Sequence, residues 1–355
     1  MKEGGAISSK TVAIIIVACL LLLIVVGGAI YILESKSEEK GDLVIYTYDS
    51  FVAEWGLGPK VIPLFEEKYD VNVTVLPQGD VGGIIDRLEI EKDDPKADIA
   101  LGIDNSMLHM AVEEDLLETY TPPNLDRVNQ SLVFDPEHHL IPYDYGYIAI
   151  ICNRELMEER NLPVPDKLTD LADSIYRDQI LLIDPATSST GASFMIWAAQ
   201  VTGDEYPQFF QDLAENRRAL YDTWDNMYYN GYMEGEAPIA ISYGLDTAFE
   251  MSYYGTHDNI TVVPQDHGYR QIEGAGIVKG AKNRSLAEKF IQFMISDQFQ
   301  EHVESNVMLP VVDGIEISEY FREYGEYATE HAEGTQSEIG DNYRSWLNEW
   351  DQAFA

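Results

Sequence analysis

The sequence predicts an α/β fold with more than one lobe. Three observations carry this: short β-rich apolar runs alternate with amphipathic helical stretches, the alternation occurs once before residue 105 and again after residue 146, and 355 residues exceed what one ordinary domain holds. In chain order, 43–48 (LVIYTY) is an apolar run rich in β-formers and reads as a buried strand. A loop with Gly56, Gly58 and Pro59 leads into a helix near 59–69. Val71, Val73 and Val75 alternate with polar residues as a second strand. Gly79 to Gly83 opens a helix near 83–92, and 97–102 is a third strand. Later, 147–152, 180–183 and 239–243 read as strands, with 262–263 and 276–278 as further candidates, and 191–202 and 206–216 as helices. Strands alternating with helices imply a parallel sheet covered on both faces. Ser285 and Glu288 form a capping box ahead of Phe290, Ile291, Met294 and Ile295 on one helical face. Tyr343, Trp346, Leu347, Trp350 and Phe354 form a helical stripe expected to pack in the core.

Composition narrows the function. Hydrophobic residues make up 45% and charged residues 24%, so neither wholesale disorder nor a polytopic membrane protein fits. The formal charge is −39, from 23 Lys+Arg against 62 Asp+Glu. A field of that sign repels phosphates, so nucleic acid is not an expected partner. Residues 1–40 carry equal numbers of acidic and basic groups, so the whole excess lies in 41–355. It reads as a solvated surface adapted to high salt.

Residues 11–33 are an uncharged apolar run, long enough at about 1.5 Å per residue to cross a bilayer. Lys2 and Lys10 precede it and an acidic stretch follows, which places everything after residue 33 outside the cytoplasm. An uncleaved anchor fits this length best. A cleaved signal and a protein lipidated at Cys19 are the other readings, and all three export 41–355. The exported part then holds a single cysteine, Cys152, and no internal disulfide.

The chain carries no P-loop, HExxH, CxxC, GxSxG or EF-hand signature. Gly274 and Gly276 read as close packing within a strand, His138 and His139 as a surface loop, and Cys152 as a buried structural thiol. Two arrangements point to a ligand. The stretch 184–191 (DPATSSTG) follows a strand and opens a helix, which supplies hydroxyls and free N–H groups either for an ordinary cap or for an anion or polar group. The chain also has 22 Tyr and five Trp, several in loops beside carboxylates: Tyr48 and Trp55 around Asp49, Trp224 after Asp222, and Tyr243 before Asp246. Aromatic faces with nearby carboxylates suit an organic cation. The pairs Tyr228–Tyr229 and Tyr253–Tyr254 offer a rival chemistry as phenolate ligands to ferric iron.

The segment 46–59 (YTYDSFVAEWGLGP), followed by 97–105 (ADIALGIDN), 141–147 (IPYDYGY), 184–188 (DPATS), 241–243 (ISY) and 289–294 (KFIQFM), resembles the thiamine-binding proteins of bacterial ABC importers. The resemblance covers essentially all of 42–355. It implies a two-lobe fold of the type II periplasmic-binding-protein kind with the ligand in a cleft between lobes. Residues 1–40 would be an anchor or signal with its linker, 41–146 plus 277–355 lobe one, and 147–276 lobe two. It implies no enzyme and no cofactor, but capture of thiamine, thiamine monophosphate or thiamine diphosphate by a monomer outside the cell membrane or in the periplasm. A membrane permease with its ATPase subunit would be the partner. The implied ligand residues are Asp80 with Val81, the pair Ser188 and Ser189, Trp224, and the loop Tyr243, Gly244, Leu245 and Asp246, with Tyr48 and Trp55 as further aromatics of the cleft. Ser188, Ser189 and Thr190 would suit a phosphate. Two positions depart from the family: Val307 stands where the family has Trp, and Phe249 where it has Tyr. A ferric or other small-cation receptor is the alternative, and a thiamine-degrading enzyme with Cys152 as nucleophile the remote one.

Overall fold

The computed structural model describes residues 41–265 and 267–355. The expected anchor, signal or lipidated Cys19 within 1–40 lies outside the described residues. Among the described residues no helix is long and apolar enough to cross a membrane.

Among the described residues eleven strands join one sheet: β1 (Asp42–Thr47), β2 (Asn72–Pro77), β3 (Ile99–Asp104), β4 (Leu117–Glu118), β5 (Ile141–Asn153), β6 (Ile180–Ile183), β7 (Arg217–Tyr221), β8 (Ile239–Tyr243), β9 (Asn259–Val262), β10 (Tyr269–Val278) and β11 (Leu309–Pro310). The order along the main path is β2-β1-β3-β10-β5-β8-β6-β7, with β4 on β10 and both β9 and β11 on β5. The outer triplets β2-β1-β3 and β8-β6-β7 are parallel, as the strand–helix alternation predicts. The centre differs: β10 runs antiparallel to β3 and β5, and β5 antiparallel to β8. These two long strands tie one parallel unit to the other, and a local strand–helix pattern does not report that crossing.

The helices follow the sequence with one correction. The Arg284–Met294 helix has Asn283, not Ser285, at its N-cap, without a side-chain cap bond, so the expected capping box is absent. The reason is tertiary. Asp98 accepts hydrogen bonds from the backbone N–H (2.8 Å) and the side-chain amide (3.2 Å) of Asn283, and this fixes the helix start ahead of Ser285. Phe290, Ile291, Met294 and Ile295 are buried as expected. Gly274 and Gly276 admit a close approach. A Cβ on Gly274 would lie 2.9 Å from that of Leu140, and one on Gly276 2.4 Å from the His139 carbonyl oxygen.

The C-terminal helix Gln336–Phe354 buries its aromatic stripe chiefly against helices of the chain's second half. Trp350 packs edge-on to Phe210 and Phe194, and the Tyr343 hydroxyl donates to the Pro185 carbonyl at 2.8 Å. Tyr343 also meets His109, and Arg344 pairs with Glu113, both in the first half. The helix is thus a strap across the two.

Most ion pairs are exposed, and such pairs contribute about 0–1 kcal/mol each. Among the described residues Arg270–Glu333 is the most protected of the pairs made by lysine or arginine. They do not offset a formal charge of −39. The melting temperature is therefore expected to rise as NaCl goes from about 0.1 M to about 1 M, where the Debye length falls from about 10 Å to about 3 Å. A flat or falling thermal-melting curve would remove the reading of the surface as adapted to salt.

Candidate functional site

Beside the antiparallel pair β5 and β10, a cavity opens between the first half of the chain and the second. Tyr48, Ser50, Trp55, Gly79, Asp80 and Val81 line it from one side, and Ser189, Thr190, Trp224, Asp225 and Tyr243 from the other. Glu273 forms the floor with Asn306, Val307 and Met308 beside it. Seven residues expected from the sequence, namely Tyr48, Trp55, Asp80, Val81, Ser189, Trp224 and Tyr243, thus come together from positions far apart in the chain.

Asp80 caps the Val81–Ile90 helix. Its Oδ1 accepts the N–H of Val81 (2.7 Å) and of Ser189 (3.2 Å), and its Oδ2 accepts the N–H of Trp224 (3.3 Å). One carboxylate thereby joins the first half to two segments of the second. The Gly82 N–H donates to the Thr187 carbonyl at 3.1 Å beside it, and a Cβ on Gly82 would lie 2.5 Å from that oxygen. Only glycine permits this approach. Burial pushes the Asp80 carboxyl up, while these hydrogen bonds pull the other way.

Trp224 is held on three sides. Its indole Nε1–H donates to Ser242 Oγ at 2.9 Å, one face stacks on Tyr228 with centroids 4.8 Å apart, and Tyr243 lies 6.0 Å away. The Tyr243 hydroxyl pairs with Thr190 Oγ1 at 2.7 Å. With Ser189 N–H on Asp80 and Thr190 on Tyr243, the run 188–190 serves the closure of the cavity, and Ser188 is fully buried behind it.

Gly244, Leu245 and Asp246 stand behind the cavity wall. The Gly244 N–H donates to the Tyr147 carbonyl, Leu245 is buried with Tyr147, Phe249 and Phe321, and Asp246 is buried in the first turn of the Asp246–Tyr254 helix. Burial pushes the Asp246 carboxyl up to about 7.

The floor is a hydrogen-bonded cluster that sequence reading did not find. Glu273 Oε2 accepts from the Tyr48 hydroxyl at 2.7 Å and from the Tyr143 hydroxyl, and Asn306 bridges Tyr48 (2.7 Å) and Asp144 (2.9 Å). Glu273 and Asp144 face each other across β10 and β5. Burial pushes Glu273 up to about 7, and burial together with Glu273 pushes Asp144 well above the carboxylate range. Each carboxyl of the pair therefore holds its proton to higher pH than an ordinary one. A glutamate within the otherwise apolar run 272–278 was the available signal. Asp225, also missed, directly follows Trp224.

Val307, at the departure from the family, has φ 58°, a left-handed backbone that a β-branched residue rarely takes, and it lines the cavity. Phe249 packs on Trp55, centroids 5.5 Å apart, at the outer edge. Neither tyrosine pair lines the cavity: Tyr253 and Tyr254 are exposed, Tyr228 is buried against Trp224, and Tyr229 sits beside them. Among the described residues no cluster of His, Cys, Asp and Glu is arranged to hold a metal ion. Cys152 is fully buried in β5, and burial pushes its thiol up to about 12, which leaves no reactive thiolate.

Residues 94–329 match the family model of the bacterial extracellular solute-binding proteins. The thiamine-binding periplasmic protein of Brucella melitensis is 32% identical, the match covering 91% of this chain and 95% of that protein. That of Escherichia coli K12 is 30% identical over 88% of this chain and 93% of its own. A solved periplasmic thiamin binding protein superposes with a TM-score of 0.83 at 28% identity, covering 90% of this chain and 98% of the other.

Proposed function

The chain belongs to the bacterial extracellular solute-binding proteins, and from that premise we propose that it captures thiamine or one of its phosphates outside the cell membrane for an ABC importer. It is a carrier and not an enzyme. The observation that carries this reading is the cavity beside the paired strands β5 and β10: Tyr48, Trp55, Trp224 and Tyr243 supply aromatic surface, and Asp80, Asp225 and Glu273 supply negative charge. Thiamine is a flat heteroaromatic cation, and such a wall attracts it through ring faces and charge together.

The two lobes are 41–146 with 277–355, and 147–276, and the C-terminal helix reaches across from the first to strap the second. Because the carboxylate of Asp80 from lobe one accepts N–H groups from lobe two, closure and ligand capture are one event. Ligand contacts to both lobes shift the population toward the closed form, and the permease reads that form. Residues 11–33 hold the carrier at the membrane, and it acts as a monomer.

Calorimetric titration of the full chain, and separately of residues 41–355, with thiamine tests this reading. Both are expected to bind with equal affinity, because every residue lining the cavity lies after Gly41. Binding of ferric citrate without any response to thiamine would replace this reading by the iron one. Loss of binding on truncation would show that 1–40 does more than tether.

A further inference from the structure

The three carboxylates of the cavity are not equivalent. Asp80 is satisfied by three backbone N–H groups, and Glu273 by two tyrosine hydroxyls with Gln271 Nε2 at 3.4 Å. Asp225 has neither. It is half-buried in the wall, and among the described residues its carboxylate has its own backbone N–H as hydrogen-bond donor and no ion-pair partner. The charged groups around it are Asp49 and Asp80, both acidic, and burial with these two neighbours pushes Asp225 up to about 6. No lysine, arginine or histidine is among the residues lining the cavity. A wall with one uncompensated carboxylate, two further acids and no cation is built for a net positive guest.

We infer that Asp225 is a specificity-determining residue that pairs with the cationic ring of the ligand and makes the cavity select the unphosphorylated cation against its phosphate esters. The inference rests on the thiamine reading above. A phosphate ester adds a charge of about −1.5 to −2 near pH 7. In this cavity it meets Asp225, Asp80 and Glu273 at close range with no basic side chain to receive it. In the stretch that would have suited a phosphate, the Ser189 N–H is held by Asp80, the Thr190 hydroxyl by Tyr243, and Ser188 is fully buried and does not line the cavity. Asp225 is adjacent to Trp224, so one segment of the second lobe presents an indole face and a carboxylate side by side.

The test is titration calorimetry of the full chain with thiamine, thiamine monophosphate and thiamine diphosphate, on wild type, Asp225→Asn and Asp225→Glu. Wild type is expected to bind thiamine at least about 30-fold more tightly than either ester. Asp225→Asn should weaken thiamine about tenfold, as for loss of a charge-assisted contact, and shrink the preference over the esters to less than about fivefold. Asp225→Glu keeps the charge and should retain most of the preference, which separates a role of the charge from damage to the fold. Equal wild-type affinities for thiamine and its esters overturn this inference and leave the thiamine reading standing. An unchanged preference in Asp225→Asn removes Asp225 from the role. Absence of thiamine binding in wild type overturns the underlying reading instead.

Discussion

Trp224→Ala is expected to weaken thiamine binding by about 30–150-fold, the equivalent of about 2–3 kcal/mol. The loss combines cation–π attraction, ~0.5–2 kcal/mol depending on desolvation, with lost apolar contact. The indole is already oriented: Ser242 holds its Nε1–H at 2.9 Å, and Tyr228 occupies one face. Nothing has to be ordered when a ligand arrives. Val307 lines the cavity without an aromatic ring, so beyond Trp55 little further indole surface is there to share the task. Trp224→Phe should recover part of the affinity, because a phenyl ring keeps a weaker quadrupole, although it forfeits the bond to Ser242. Trp346→Phe, in the packed C-terminal helix, should leave affinity nearly unchanged. Titration and thermal melting of the same Trp224→Ala protein decide the matter. Near-normal affinity with a large fall in melting temperature would make Trp224 a core residue and remove the centre of the site.

The second large effect is on stability. In about 2 M NaCl, where surface charge is screened, the melting temperature is expected to fall by at least about 5 °C between pH 5 and pH 8. Burial pushes Asp104 up to about 8, and Asp246 and Glu273 up to about 7. All three are nearly inaccessible to solvent. In the unfolded chain such carboxyls titrate near 4. Between that value and 7 to 8 the folded state keeps protons that the unfolded state has released. The unfolded state therefore binds fewer protons, and stability declines as pH rises through the window and levels off above it. Low salt adds to the decline, because deprotonation also enlarges the net negative charge, so the high-salt measurement isolates the buried groups. Asp104→Asn should flatten the profile, since the amide does not ionise. A melting temperature that is level or rises with pH in high salt would mean that these carboxyls are ionised in the fold.

Local pattern was enough for much of this molecule. Periodicity marked the strands 180–183 and 239–243 and the helix 206–216 at their observed limits, because each is bounded by residues that break its repeat. It also marked Trp346 and Trp350 as buried, since a helix must hide one apolar stripe. The resemblance to a known family implied Tyr48, Trp55, Asp80 and Trp224, and all four line the cavity.

What tertiary structure alone decided has one physical source: contacts between residues far apart carry no local signature. The antiparallel pairing of β5 with β10 belongs to this class. So does the placement of Glu273 opposite Asp144, where a carboxyl in a buried strand is tolerable only because tyrosine hydroxyls from other segments reach it. The capping box at Ser285 yielded to Asp98, nearly two hundred residues earlier in the chain. Gly244, Leu245 and Asp246 adjoin Tyr243 in sequence yet stand behind the wall, because β8 ends at Tyr243 and the chain turns inward to start a helix. Asp225 became visible only when the fold set it beside Asp80 and Asp49, for the same carboxylate on an open surface would be one acid among sixty-two.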